Sequence, residues 1–305
     1  MATFVNVGVA GWTDRTNTVH KRVYSLQDGV HSNVIEWMQD GSGWVQGPGF
    51  PAGVTGKSVG ATGWIDSSGT LHIRVYVEGD HAIISEYVWD GGPSWQSGTL
   101  PVVGHNPTAL SWVDQSGQLN LSVYVLNQNG NGTLVEWQAL SSGWTSDDIN
   151  ITPASASPVT YVNAGAAGWT DGNGAINRRV YSVQNATTNV IESVQLGGTW
   201  TPGGFLTNVT GASVAATAWA GPAGLRVYVG GGDGTIVEYC WDPIQNKWTL
   251  GTTQIQGNQP TALSWVDQSG NFNLSVFALT TEGYIVEWQF DPSTMSWKPN
   301  NVTTS

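Results

Sequence analysis

Charged residues are scarce in this sequence. They make up 10% of the 305 residues, and Lys occurs only four times, whereas a usual charged share is about 25%. Long, charge-studded helices are therefore not expected. Ten Lys and Arg against 22 Asp and Glu give a formal net charge of −12. This balance argues against nucleic acid and against insertion into or binding to an anionic membrane, because both surfaces select a basic face.

Cysteine and long apolar runs are also scarce. Cys240 is the single cysteine, so no intrachain disulfide or cysteine-based metal cluster can form, and we expect a small buried side chain. No run approaches 18 apolar residues, which argues against a membrane-spanning helix. The N-terminal segment lacks the basic stretch of a secretory signal. The expected location is the cytoplasm or, after leaderless export, the outside of the cell.

Histidine shows no metal-ligand spacing. The five histidines all lie in the first half of the chain: His20, His31, His72, His81 and His105. Because their counterparts in the second half are absent, we expect surface positions and predict no metal or other cofactor.

Glycine and tryptophan are abundant instead, with 40 and 17 residues. Gly, Trp, Val and Thr without Lys, Glu and Leu predict many short strands joined by tight turns. Clusters of Gly, Asp and Ser predict hairpin turns at Asp66–Gly69, Asp114–Gly117 and Gly230–Gly234.

A unit of about 50 residues recurs six times, which indicates a repeat architecture. Each unit starts with a tryptophan after small residues: Trp12, Trp64, Trp112, Trp169, Trp219 and Trp265. A glutamate follows in every unit: Glu36, Glu86, Glu136, Glu192, Glu238 and Glu287. A late tryptophan closes every unit: Trp44, Trp95, Trp144, Trp200, Trp248 and Trp297.

Each unit contains four short strand-like runs, which is the content of one β-propeller blade. The first run is rich in Gly and Ala, as in VGVAGW and AGAAGW, and suits an innermost strand beside a crowded central channel. We therefore predict an all-β fold, a six-bladed β-propeller with four antiparallel strands per blade. A β-solenoid is the alternative, although its rungs are usually shorter and more regular.

The chain also repeats at an offset of 153 residues, because Pro107 and Pro260 begin nearly identical segments. This predicts an approximate duplication of a three-blade half. Neither half could close a ring alone, so we predict a single domain over residues 1–305, with Thr152–Pro158 as the loop between the halves. The predicted blades run over residues 5–50, 51–101, 102–150, 158–206, 207–255 and 256–305.

Four arginines occupy one repeat position, directly before Val-Tyr: Arg22, Arg74, Arg179 and Arg226. Units three and six carry Ser122 and Ser275 there. A hairpin would bring each Arg and its Glu to comparable height on neighbouring strands. One interpretation is an ion pair that pins the blade. The other is a sugar site, since a guanidinium and a carboxylate bond vicinal hydroxyls and an indole covers the apolar face of a sugar ring.

The persistence of the glutamate in units three and six favours the sugar site. The first-strand tryptophans, by contrast, are expected to pack in the blade core.

The strings IRVY at Ile73–Tyr76, ISEYVWD at Ile84–Asp90 and IVEYCWD at Ile236–Asp242 resemble the fungal fucose-specific lectin family of the Aleuria aurantia type. The six repeats extend this resemblance over essentially the full length. It implies a six-bladed propeller with L-fucose sites between adjacent blades. Each site would take Arg, Glu and the late Trp from one blade, and an aromatic three residues beyond the Glu from the next blade.

Carried over residue by residue, the family pattern is complete at sites one and four. Site one would contain Arg22, Glu36, Trp44 and Trp89. Site four would contain Arg179, Glu192, Trp200 and Trp241. Site five would contain Arg226, Glu238, Trp248 and Phe290. Site two would contain Arg74, Glu86 and Trp95, with Ala139 in place of the aromatic.

Sites three and six depart further from the family pattern. Site three would contain Ser122, Glu136, Trp144 and Gln195. Site six would contain Ser275, Glu287, Trp297 and Gln39. Because both lack the Arg and the facing aromatic, we expect neither to hold fucose at modest concentrations.

The expected function is a multivalent, non-catalytic lectin whose partners are fucosylated glycans or glycoproteins, with homo-oligomerisation left open. A glycoside hydrolase would need two carboxylates set apart across one cleft, whereas this chain repeats one Glu per blade. A protein–protein scaffold of WD-repeat type is the third alternative. Trp89-Asp90 and Trp241-Asp242 are WD dipeptides, but the preceding Gly-His element is missing.

Overall fold

A computed structural model describes residues 3–28, 32–41, 43–47, 49–113, 119–127, 132–140, 142–149, 160–171, 173–196, 198–219, 224–267 and 269–303. These residues form 25 strands in six antiparallel sheets, one for each sequence repeat. The predicted six-bladed β-propeller is therefore confirmed. The predicted loop at Thr152–Pro158 and the predicted turn at Asp114–Gly117 lie outside the described residues.

In the first half of the chain, each blade is built from consecutive strands. Blade one contains β1 (Phe4–Thr13), β2 (Val19–Gln27), β3 (Val34–Asp40) and β4 (Val45–Gln46). Blade two contains β5 (Ser58–Ile65), β6 (Leu71–Glu78), β7 (Ile83–Trp89), β8 (Gln96–Ser97) and β9 (Val102–Val103), with a 3-10 turn at Asp80–Ala82. Blade three contains β10 (His105–Val113), β11 (Leu119–Leu126), β12 (Leu134–Leu140) and β13 (Gly143–Asp148).

The second half follows the same order. Blade four contains β14 (Tyr161–Thr170), β15 (Ile176–Gln184), β16 (Val190–Leu196) and β17 (Thr199–Pro202). Blade five contains β18 (Ser213–Trp219), β19 (Gly224–Gly230), β20 (Thr235–Asp242) and β21 (Lys247–Gln256). Blade six contains β22 (Asn258–Val266), β23 (Phe272–Leu279), β24 (Ile285–Asp291) and β25 (Ser296–Asn301). The predicted turns at Asp66–Gly69 and Gly230–Gly234 connect the first two strands of blade two and the second and third strands of blade five.

The first strand of every blade lines a central channel of about 230 Å³. Small residues are required where these strands meet, because a Cβ on Gly60 would lie 2.3 Å from the carbonyl oxygen of Pro107 on the next blade. The Gly- and Ala-rich runs are therefore the innermost strands, as the sequence predicts.

Six apolar clusters each join two neighbouring blades, so the blades pack face to face around the ring. One aromatic residue of each second strand is fully buried: Tyr24, Tyr76, Tyr124, Tyr181, Tyr228 and Phe277. Five first-strand tryptophans are buried as expected, whereas Trp219 is half-buried and stacks on Phe272 at 3.7 Å between ring centroids. This packing places polar side chains of adjacent blades in shared grooves.

The ring closes between the last and the first blade without exchange of a strand. The backbone N–H of Phe4 donates to the carbonyl of Gly283 at 2.8 Å, and Lys21 pairs with Glu287. Side-chain contacts across this seam therefore contribute directly to closure.

Candidate functional site

A cavity of about 190 Å³ lies between blades one and two. Blade one contributes Arg22, Glu36, Met38 and the neighbouring Gly49, and blade two contributes Leu71, Ile73, Trp89 and Trp95. The cavity thus combines a cation, a carboxylate, two indoles and an aliphatic wall, which is a surface for a small ligand that has both hydroxyls and an apolar face.

Glu36 is fixed in this cavity by its strand neighbours. It lies opposite Tyr24 in the β2–β3 ladder, and the Tyr24 hydroxyl donates to its Oε1 at 3.0 Å. Its Oε2 lies over Gly47, where a Cβ would come within 2.5 Å. Gly47 therefore makes room for the carboxylate in this orientation. Burial raises the pKa of Glu36 above its usual value.

The same glycine recurs in blades two, four and five. A Cβ on Gly98, Gly203 or Gly251 would lie within 2.5 Å of the local glutamate. Burial also raises the pKa of Glu238 in blade five. Four blades therefore hold the glutamate in one common orientation.

Arg22 lies beside Glu36 and is held by a second carboxylate. Its guanidinium carbon is 5.1 Å from the Trp12 ring centroid, and Nη1 and Nη2 donate to the two oxygens of Asp40 at 2.8 and 3.1 Å. Its Nε is 4.0 Å from Oε1 of Glu36. Burial acts to raise the pKa of Asp40, but the hydrogen bonds from Arg22 and His20 bring it below its ordinary value. A two-bond fork of this kind fixes a guanidinium plane.

His20 connects this carboxylate to another one. Its Nδ1 is 2.6 Å from Asp40 and its Nε2 is 3.0 Å from Asp14, and its ring stacks on Trp12 with centroids 5.4 Å apart. Both ring nitrogens of His20 therefore lie within hydrogen-bond distance of a carboxylate oxygen. His20 thereby positions Arg22 through Asp40.

Blade two repeats this arrangement around Arg74. His72 lies 2.6 Å from Asp90 and 3.1 Å from Asp66, and Arg74 Nη1 donates to Asp90 at 2.7 Å. The guanidinium carbon of Arg74 is 5.1 Å from the Trp64 centroid. Sites one and two therefore share one way of holding the arginine.

The expectation that the histidines occupy surface positions is wrong for His20 and His72, which are half-buried and paired. His105 also has a partner, since its Nδ1 contacts the buried Glu78 at 2.6 Å, but its side chain is 42% exposed and so lies at the surface as expected. His81 is exposed on the turn before β7, and His31 lies outside the described residues.

Site four holds its arginine differently. Arg179 Nη1 donates directly to Glu192 Oε1 at 2.6 Å. Among the described residues, the buried Oε2 of Glu192 and the buried Nε1 of Trp248 have no hydrogen-bond partner. Site four therefore contains an unpaired acceptor and an unpaired donor, the two functions that a hydroxyl group satisfies at once.

Site five holds its arginine in the orientation seen at sites one and two, with Nη1 donating to the carbonyl of the preceding residue, Leu225, at 3.1 Å. Arg226 Nε is 3.6 Å from Oε1 of Glu238, and its guanidinium carbon is 5.2 Å from the Trp219 centroid. The buried Nε1 of Trp297 is unpaired within the described part of the chain.

The sequence-based assignment of the late tryptophans is wrong by one blade. Trp95, and not Trp44, lines the cavity with Arg22 and Glu36. Trp44 instead donates to Glu287 of blade six at 3.2 Å, and Trp200 donates to Glu136 of blade three at 3.3 Å. Each fourth strand faces the groove shared with the preceding blade, so its tryptophan serves the preceding site.

The late tryptophan consequently pairs with the facing aromatic of its own blade. Trp89 and Trp95 at site one have centroids 5.8 Å apart and ring planes at 58°. The same geometry recurs at site four with Trp241 and Trp248, 5.4 Å and 59°, and at site five with Phe290 and Trp297, 5.4 Å and 57°. Site two has Ala139 opposite Trp144 in the β12–β13 ladder.

The sequence also misses that sites three and six contain a cation. Arg178 and Lys21, the residues before Arg179 and Arg22, reach back to Glu136 and Glu287 of the preceding blades. The sequence contains a signal for this cation, because the residue before the repeat arginine is cationic only in blades one and four. Neighbouring residues of a strand point to opposite faces, so this cation faces the other groove from the repeat arginine.

Cys240 is half-buried rather than buried. Burial and then the nearby Glu238 raise its pKa to about 11. The thiol therefore stays protonated near neutrality and is a poor nucleophile.

A family model described as fungal fucose-specific lectin matches residues 3–154 and 120–253 of the chain. Most of the sequence is thereby covered. The chain belongs to this family.

Two relatives are fucose-specific lectins. The one from Aleuria aurantia is 28% identical over 218 residues, covering 71% of this chain and 52% of that protein. The one from Aspergillus fumigatus is 28% identical over 271 residues, covering 83% of this chain and 82% of that protein. The chain thus matches about half the length of the Aleuria relative.

A solved structure shows the same fold. It is an Aleuria aurantia lectin variant in complex with α-methyl-L-fucoside, 22% identical, with a TM-score of 0.77 and coverage of 100% of this chain and 99% of that one. No helix in the described part of this chain is long and apolar enough to span a membrane.

Proposed function

We propose that this member of the family is a multivalent, non-catalytic lectin that binds L-fucose on glycoconjugates at sites one, two, four and five. The observation that carries the proposal is the unpaired, buried acceptor of Glu192 and donor of Trp248 beside Arg179. The Aleuria and Aspergillus relatives are fucose-specific lectins, which supports fucose as the sugar.

The chemistry of fucose suits site one. Its hydroxyls can accept from Arg22 and donate to Glu36, while the C–H face lies on an indole and the C6 methyl meets the aliphatic wall at Leu71 and Ile73. After the late tryptophans are regrouped, the proposed ligand residues are Arg, Glu and the aromatics of the next blade, two at sites one, four and five and one at site two: Arg22, Glu36, Trp89, Trp95; Arg74, Glu86, Trp144; Arg179, Glu192, Trp241, Trp248; Arg226, Glu238, Phe290, Trp297.

A hydrolase is not favoured by this geometry. The second carboxylate at site one, Asp40, has both oxygens bound by Arg22, and site four carries Leu196 at that repeat position. A glycosidase would need two working carboxyl groups in the same cleft.

Calorimetric titration with L-fucose tests the proposal, with L-galactose as the control sugar because it differs by a hydroxyl on C6. We expect binding of fucose, weaker binding of L-galactose, and loss of sites one and four in the variant Arg22→Ala with Arg179→Ala. Arg15→Ala is the matched control, because Arg15 is exposed and donates its hydrogen bond to the turn carbonyl of Ser68, away from the proposed sites. Equal binding by all three proteins would contradict the assignment.

A further inference from the structure

Sites three and six receive their cation from the next blade. At site six, Lys21 of blade one pairs with Glu287 of blade six, and its Nζ lies 5.1 Å from the Trp265 centroid. At site three, Arg178 of blade four pairs with Glu136 of blade three, and its guanidinium carbon lies 5.6 Å from the Trp112 centroid. In the open sites the blade's own arginine occupies this place over the first-strand tryptophan.

The residue types at two repeat positions change together. The first position is the Arg or Ser of one blade, and the second is the residue directly before the Arg or Ser of the following blade. Where the first position is Arg, the second is aliphatic: Ile73, Leu121, Leu225 and Leu274. Where a blade has Ser122 or Ser275, the next blade places Arg178 or Lys21 there. Each glutamate therefore has one cation, from its own blade at four sites and from the next blade at two.

Both oxygens of the glutamate at these two sites already accept hydrogen bonds from within the protein. Glu287 Oε1 accepts from Lys21 and, at 2.7 Å, from Ser275. Its Oε2 accepts from Trp44 at 3.2 Å and from Asn300 at 3.3 Å. The carboxylate and the indole N–H that would bind a hydroxyl are thus bonded to each other. Glu136 is held by Arg178, Ser122 and Trp200 in the same way.

The residue opposite the glutamate on the neighbouring chain segment also differs between the four open sites and sites three and six. The four open sites have glycine there, and a Cβ would meet the carboxylate. Sites three and six have Asp147 and Asn300 at that register position. At site six this side chain helps to hold the carboxylate, because the Asn300 amide donates to Glu287 Oε2 at 3.3 Å.

Sites three and six also lie at special places in the ring. Site three joins blade three to blade four, where the two duplicated halves meet, and site six joins blade six to blade one, where the ring closes. Their ion pairs are buried, with Lys21 2%, Arg178 7%, Glu136 2% and Glu287 0% exposed. The cation of each pair comes from the first blade of one half and the glutamate from the last blade of the other.

We propose that Lys21 and Arg178 close sites six and three to sugar and convert them into buried ion pairs that hold the two three-blade halves together. This inference rests on the proposed function only for the contrast with the four open sites. Removal of one partner from a buried pair is strongly destabilising, because an uncompensated charge remains inside the protein.

The first experiment compares two adjacent residues of one strand. Lys21→Met should leave the number of fucose molecules bound at four and lower the thermal midpoint by about 5–15 °C at pH 7.5. Arg22→Met should remove one fucose site. Lys21→Arg, which keeps the cation, should behave as the unmutated protein.

The outcomes separate the two proposals. If the unmutated protein binds no fucose, the proposed function fails, while the stability comparison still tests the ion pair. Fucose at site three or six in crystals of the unmutated protein soaked at modest sugar concentration, a reduced sugar count in Lys21→Met, or an unchanged thermal midpoint would each overturn the inference.

The second experiment opens site six. The combination Lys21→Ile, Ser275→Arg, Asn300→Gly and Gln39→Trp reproduces the residues Ile73, Arg22, Gly47 and Trp89 of site one. A folded variant should bind one additional fucose, and a count that stays at four would contradict the inference. Should this variant not fold, the Lys21→Met comparison and the soaked crystals decide.

Discussion

Trp95 and Trp44 offer a matched test of how the sites are assembled. Both are half-buried late tryptophans that meet an aromatic of the preceding blade edge-on, Tyr24 at 6.0 Å and 88° for Trp95 and Phe277 at 5.8 Å and 86° for Trp44. If the tryptophan serves the preceding site, Trp95→Ala should remove site one and Trp44→Ala should leave all four open sites intact.

The expected loss follows from what the indole offers. A neutral N–H hydrogen bond to a sugar hydroxyl contributes about 1 kcal/mol. The apolar face, if it covers about 50 Å² of sugar C–H surface, contributes about 1 kcal/mol at ~25 cal/mol/Å². Together these give about 2 kcal/mol, or about 30-fold in affinity. Trp95→Phe keeps an apolar face and should lose about half of this free energy.

Fucose-soaked crystals and calorimetry at matched concentrations provide the measurement. We expect sugar density at site one in Trp44→Ala and its absence in Trp95→Ala, with the thermal midpoints of both variants recorded to check the fold. Loss of site one in Trp44→Ala, with Trp95→Ala unaffected, would refute the regrouping and restore the assignment within one blade.

Three further results are expected. Burial raises the pKa of Glu36 and Glu238, so these carboxyls gain a proton at a pH above the free value of about 4.3. Fucose affinity should therefore hold at neutral pH and begin to fall on acidification before that value is reached. An affinity that stays constant down to about pH 3, with the fold intact, would contradict this prediction. Exhaustive chelation should leave calorimetric fucose binding unchanged, because Arg and Glu supply the polar contacts; a loss restored by calcium would contradict this. His20→Asn, which introduces the residue that blade four has at Asn177, should free Asp40 from one partner and weaken site one by about twofold to tenfold, measured by occupancy in crystals; equal occupancy would show that His20 does not position the arginine.

The fold followed from the sequence because its causes are local and repeated six times. Gly- and Ala-rich runs such as the one around Gly60 are needed wherever inner strands approach each other, and the turn at Gly230–Gly234 needs only neighbouring residues. The periodicity of the sequence was therefore enough to predict the number of blades, the number of strands per blade and the position of the inner strand, without knowledge of any long-range contact.

The composition of each site was harder to predict because it depends on which groove a strand faces. The facing aromatics Trp89 and Trp241 were grouped by the family pattern, whereas Trp44 and Trp200 were placed one blade late. A repeat pattern alone cannot distinguish a residue that serves its own blade from one that serves the preceding blade. Alternation along a strand does carry that information: it sends Lys21 and Arg22 to different grooves, although their sequence positions are adjacent.

The closed sites divide the open sites into two neighbouring pairs, one and two in one half and four and five in the other. Cross-linking needs sites that face different surfaces, and its strength depends on whether the geometry permits simultaneous engagement.

Arg22→Met with Arg74→Met leaves sites four and five, which are neighbours on one side of the ring. Arg74→Met with Arg226→Met leaves sites one and four, which are three blades apart on opposite sides. Both variants retain two sites that have an aromatic pair, so their fucose stoichiometry should be equal. We expect agglutination of fucosylated cells to be retained only when the opposite sites remain. Equal agglutination titres at equal stoichiometry would show that valency, and not its arrangement around the ring, controls cross-linking.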